Sequence, residues 1–140
     1  MANHGFEHLG FHDQPMILYA DCEYTVPLNP THEPDTTLGL LLKYVRLALV
    51  DLLMFNYQID KEKQVNINVE TCHRPGVKVS FHLNIPRIIV RNMKAQQAFW
   101  LHVTKLFMDN EEARSQLMVN VSHSWTCLSM KRNKANCFEC

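Results

Sequence analysis

Apolar and polar residues alternate in some stretches of the chain and recur at helical spacing in others. Residues 16–24 (Met-Ile-Leu-Tyr-Ala-Asp-Cys-Glu-Tyr) lie between Pro15 and Pro27 and read as a strand. Successive side chains on a strand point to opposite faces, so Leu18, Ala20 and Cys22 share one face, while Tyr19, Asp21 and Glu23 share the other. Residues 27–36 hold Pro27, Asn29, Pro30, Pro34 and Asp35, the chemistry of a loop. A helix is predicted from a cap at Asp35 or Thr36 to about Phe55, with Leu38, Leu41, Leu42, Val45, Leu49, Leu52 and Leu53 at helical spacing.

Residues 65–71 alternate again, Val65, Ile67 and Val69 against Asn66, Asn68 and Glu70, and Arg74-Pro75-Gly76 forms a turn. Over 77–85 the alternation sets Val77, Val79, Phe81, Leu83 and Ile85 against Lys78, Ser80, His82 and Asn84. The pair predicts an antiparallel hairpin whose second strand ends at Pro86. Residues 92–109 predict a second amphipathic helix with Met93, Phe99, Val103 and Leu106 on its apolar side. After about Val119 the pattern fails. The order strand, helix, strand, strand, helix indicates an α+β fold, with 1–15 a flexible arm, 16–119 the domain and 120–140 an unpatterned tail.

The 140 residues, 46% hydrophobic and 20% charged, suit one domain with one core. Basic and acidic side chains balance at 14 each, against the basic excess of a dedicated non-specific DNA-binding module. No apolar signal segment opens the chain, and Lys43, Arg46 and Asp51 interrupt its longest apolar stretch, so no membrane partner is expected. Five cysteines, Cys22, Cys72, Cys127, Cys137 and Cys140, are most simply placed in a reducing, intracellular setting.

Two one-face rows carry candidate chemistry. Asp21 and Glu23 project together, and paired carboxylates repel unless a cation sits between them; a hard cation, Mn²⁺ or Mg²⁺, suits such oxygen donors. Lys78, Ser80 and His82 align an ammonium, a hydroxyl and an imidazole, all able to donate hydrogen bonds to a polyphosphate. Each row alone also reads as a solvated sheet face. Together on adjacent strands, metal ligands and phosphate donors form the layout of nucleotidyl transfer.

The segment Ile17-Leu-Tyr-Ala-Asp-Cys-Glu, the Asn29-Pro30 after it, the helix containing Leu40-Leu-Leu-Lys-Tyr-Val45, and then Lys78-Val-Ser-Phe-His82-Leu83 resemble the eukaryotic primase-polymerase branch of the archaeo-eukaryotic primase superfamily. The likeness spans about residues 15–107. It implies an RRM-like antiparallel sheet with flanking helices and a DNA-directed primase and polymerase activity of replication and damage tolerance. It further implies nucleoside triphosphates and a DNA template or primer as partners, and a nuclear or mitochondrial location. Asp21 and Glu23 would match the catalytic, metal-ligating carboxylates, and Lys78, Ser80 and His82 the contacts to the incoming triphosphate. The family's third motif, an Asp on a later strand, finds only Asp109 after His82, at a predicted helix end. The basic residues that follow that motif and the family's C-terminal zinc module have no counterpart. The resemblance therefore implies an incomplete catalytic module with little primer extension. The alternative is a non-enzymatic α+β module that binds nucleotide or metal.

Other patterns read as structure. His4, His8 and His12 sit in the arm. His123, Cys127, Cys137 and Cys140 have irregular spacing for zinc. Met93, Phe99, Trp100 and Met108 fit a helix core better than a base-stacking platform, and Arg87, Arg91 and Lys94 fit a solvated basic face at least as well as a template contact.

Overall fold

In the computed structural model, residues 14–56, 66–121 and 124–127 are described. Among them the order is β1 (Met16–Thr25), α1 (Pro34–Asn56), β2 (Asn68–Thr71), β3 (Lys78–Val90), α2 (Met93–Met108), α3 (Glu111–Leu117), β4 (Met118–Val121) and β5 (Ser124–Cys127). The fold is α+β. Strands β1, β3 and β2 form an antiparallel sheet in that order, and β4 and β5 pair in a second, two-stranded sheet.

The alternation determines which side of the sheet is core. Leu18, Ala20, Cys22 and Tyr24 of β1 and Val79, Phe81, Leu83 and Ile85 of β3 are all buried. They join one cluster with Leu41, Val45, Ala48 and Leu49 of α1 and Phe99, Trp100, Val103 and Phe107 of α2. Phe99 and Trp100 are thus core side chains, whereas Met108, at the last turn of α2, is 37% exposed. The side chains of Leu52 and Leu53 lie outside the described residues. No helix among the described residues is long and apolar enough to cross a membrane.

Several boundaries depart from the sequence expectation. Helix α1 starts at Pro34 rather than after a cap at Asp35 or Thr36. Proline is favoured at a first helical position, where its missing N–H has no intrahelical partner to lose, and the Thr37 N–H donates to Glu33 O at 2.8 Å. Helix α2 is capped by Asn92, whose side chain accepts from the Ala95 N–H. Strand β3 does not end at Pro86 but runs on to Val90. Its register against β1 jumps between Ile17 and Leu18, from Ile89 to Ile85. Residues 86–88 form a bulge with no opposite residue, the kind of position in a sheet that tolerates a proline.

The stretch read as unpatterned from 120 onward contains the end of β4 and all of β5. Four-residue strands are too short to show a period of two, and β4 is anchored from a distance. Asn29, 2% exposed, accepts from the Asn120 N–H at 2.8 Å and donates to Asn120 O at 3.2 Å and Thr25 O at 2.9 Å. A side-chain amide here completes what a neighbouring strand would supply. Gln96 does the same for β1, donating to Ile17 O and accepting from the Tyr19 N–H, each at 3.0 Å, while its oxygen also accepts from Trp100 Nε1.

Candidate nucleotide and metal site

The turn at 74–77 sets the geometry of the polar sheet face. Gly76 has a φ of +73°, open to glycine and strained for other residues, and the Val77 N–H closes the turn on Arg74 O at 2.9 Å. Counting outward two residues at a time, Arg74 bridges Lys78, the Cys72 N–H donates to Ser80 O at 3.0 Å, and Glu70 pairs with His82. On the other side of β3, Asp21 pairs with His82 and Glu23 with Ser80. Because residues two apart share a face, these register pairs define two rows across the sheet. One is Asp21–His82–Glu70, the other Glu23–Ser80–Cys72.

The two groups singled out from the sequence therefore lie together on neighbouring strands. His82 Nε2 is 3.2 Å from Asp21 Oδ1, and Lys78 Nζ donates to Glu23 Oε1 at 3.2 Å. The Asp21–Glu23 pair has no counter-charge in its own strand, but it meets basic side chains across the ladder. Nor is the row a solvated face: Ser80 is 3% and His82 7% exposed. Exposure rises outward, to 19% for the Glu23 side chain, 30% for Lys78 and 71% for Glu70. The backbone N–H of Ser80 is held by His73 Nδ1 at 3.1 Å, and the His73 ring packs edge-on against Phe81 with centroids 5.1 Å apart. That contact makes His73 Nδ1 an acceptor and places the ring proton on its other nitrogen.

Glu70 and Cys72 belong to the same constellation, although no sequence motif marks them. Glu70 Oε1 is 3.7 Å from His82 Nδ1, so the imidazole stands between two carboxylates, one on each neighbouring strand. Metal-ligating atoms of Glu70, Cys72 and His82 all lie within 4.8 Å of one another. Cys72 is disulfide-bonded, unlike the thiol state expected from a reducing setting. The signal was available in the turn, since the hairpin register that follows from Pro75-Gly76 puts Glu70 and Cys72 beside His82 and Ser80.

Asp109, the one Asp after His82, is the exposed C-cap of α2 and not a strand residue. Arg87, Arg91 and Lys94 are all exposed. His4, His8, His12, His123, Cys137, Cys140 and the side chain of Cys127 lie outside the described residues. The chain matches no known family model and no curated protein sequence.

For a hard cation, the donors on β1 are two carboxylates on one face. Mg²⁺ and Mn²⁺ commonly take one or two protein carboxylates and fill their remaining positions with water and phosphate oxygens. Asp21 and Glu23 have the donor chemistry for that role.

Proposed function

We propose that this sheet face binds a nucleoside triphosphate together with Mn²⁺ or Mg²⁺, as part of a nucleotidyl-transfer module of the DNA-directed primase-polymerase kind. The observation that supports it is the cross-strand pairing of Asp21 and Glu23 with His82 and Lys78 on one face. Asp21 and Glu23 would hold the cation, which when bound neutralises phosphate charge and acts as a Lewis acid at the reacting oxygens. Lys78, at the more open end, meets the phosphates first by exchanging its contact with Glu23 for a phosphate oxygen. Ser80 and His82 then donate from deeper in the face. In the transfer, a 3′-hydroxyl oxygen would bond to the α-phosphorus, the bond from that phosphorus to pyrophosphate would break, and the hydroxyl proton would pass to water.

A second reading, binding without turnover, is favoured by the position of Asp109 on a helix cap. Two cations clamping both the attacking and leaving oxygens need more ligands than Asp21 and Glu23 supply. We expect metal-dependent binding of a deoxynucleoside triphosphate with little primer extension on a DNA template. Replacing Lys78 with Ala should weaken that binding roughly tenfold to a hundredfold, the loss of one charge-assisted hydrogen bond. Binding that is unchanged in Lys78→Ala, or equally strong without metal, rejects the site. Robust extension rejects the second reading.

A further inference from the structure

The opposite flank of His82 offers different chemistry. We propose that Glu70, Cys72 and His82 form a site for a borderline-soft divalent cation, Zn²⁺ or its analogues, which becomes available when the Cys72 disulfide is reduced. Its ligands are distinct from the oxygen pair on β1, and it holds whether or not the face transfers nucleotides.

The ligating atoms of the three side chains lie within 4.8 Å of one another. A tetrahedral zinc centre with bonds of about 2.0–2.3 Å brings its ligands to roughly 3.5 Å apart. Closing the site therefore takes small side-chain rotations on a hairpin already pinned by the Cys72–Ser80 backbone hydrogen bond. One sulfur, one imidazole nitrogen and one carboxylate oxygen suit Zn²⁺ far better than Mg²⁺ or Ca²⁺. Three protein ligands also leave a fourth position for water.

The buried side of the imidazole completes the design. Nε2 of His82 faces Asp21 Oδ1 at 3.2 Å and Nδ1 faces Glu70 Oε1 at 3.7 Å. A ring proton on Nε2 would face the Asp21 carboxylate and leave Nδ1 on the side of Glu70 and Cys72. Zinc-ligating histidines are oriented by this kind of carboxylate behind the ring.

Cys72 is disulfide-bonded, and in that state it has no thiolate to offer. A dithiol reductant opens the site with balanced chemistry. Its two sulfurs form a new S–S bond as the Cys72 S–S bond breaks, and its two protons pass to the two released thiols. Binding of Zn²⁺ then displaces the proton of the Cys72 thiol. The oxidised, cyclic disulfide form of that dithiol reverses the exchange: its S–S bond breaks as the Cys72 S–S bond re-forms, its sulfurs take up one proton from the second thiol and one from water, and the cation leaves.

Co²⁺ added to the full chain provides the test, because a thiolate ligand gives a sulfur-to-cobalt charge-transfer band. The band should appear after reduction with a dithiol, disappear on addition of Zn²⁺, and be absent from the oxidised chain and from reduced Cys72→Ser. The exposed Glu70→Gln variant should fold normally by circular dichroism and bind Co²⁺ at least about tenfold more weakly. Lys78→Ala should keep the band while weakening nucleotide binding, because Lys78 serves the nucleotide alone and His82 is the residue the two sites share. A band retained in Cys72→Ser, a band of equal strength in the oxidised chain, or no band in the reduced chain would overturn the proposal.

Discussion

His82 Nε2 lies 3.2 Å from Asp21 Oδ1, with both side chains about nine-tenths buried, at 9% and 10% exposure. Two polar side chains this far from water stabilise the fold little in net terms, yet removing one leaves the other without that partner. Asp21→Ala should therefore lower unfolding stability by about 1–3 kcal/mol, read from urea denaturation. Replacing both Asp21 and His82 with Leu should cost clearly less than the two single losses combined. Additive losses would show that the two groups do not act as a pair.

Glu23 and Lys78 predict effects of opposite sign. The ammonium of Lys78 sits 3.2 Å from Glu23 Oε1 and competes with any cation for that carboxylate. In the absence of nucleotide, Lys78→Ala should tighten Mn²⁺ binding roughly threefold to tenfold, although the same change weakens binding of the triphosphate. The double variant with Ala at Asp21 and Glu23 should abolish Mn²⁺ binding, measured by paramagnetic broadening. Undiminished broadening in the double variant would remove the cation from β1 altogether.

The sheet was legible in the sequence because alternation is a strong signal on strands as long as β1 and β3. The same alternation put Asp21 and Glu23 on one face and Lys78, Ser80 and His82 on another, and the ladder brought those faces together. The extension of β3 beyond Pro86 was not legible, because a bulge depends on the pairing partner and leaves no periodic trace. Strands β4 and β5 are not legible for a related reason. Their four residues each owe their position to Asn29, 91 residues before Asn120, and such a contact has no local pattern. In the sequence Glu70 shows only as an alternating polar residue, and the hairpin register is what places it opposite His82.

Asn29 carries the connection between the loop after β1 and the second sheet, so its amide should be sensitive to truncation. Asn29→Ala leaves the Asn120 N–H and two carbonyl oxygens without their hydrogen bonds, a cost of about 1–3 kcal/mol. The effect should be local as well as global. Hydrogen exchange at the Asn120 amide should rise strongly, with little change at Leu83 in the centre of β3. Uniform acceleration at both amides would mean that Asn29 supports the whole domain rather than the β4 strand.

Tyr24 gives the fold an alkaline limit. It is a core residue, 4% exposed, with its ring tilted against His32 at a centroid distance of 5.1 Å. Burial pushes its hydroxyl above the ordinary tyrosine value of 10.0, the nearby Glu33 charge adds to the rise, and a contact with Thr37 partly offsets it. The folded state thus binds the phenol proton more tightly than the unfolded state. The resulting stability is fully present below pH 10.0 and is lost as pH rises through the higher folded-state value, because the unfolded chain ionises first. Unfolding midpoints measured from neutral pH upward should therefore fall above about pH 10. Tyr24→Phe keeps the ring and removes the titrating hydroxyl, so its midpoint should fall less over the same range. At neutral pH it should remain within about 1 kcal/mol of the parent chain. An alkaline decline of equal size in Tyr24→Phe would assign that limit to another group.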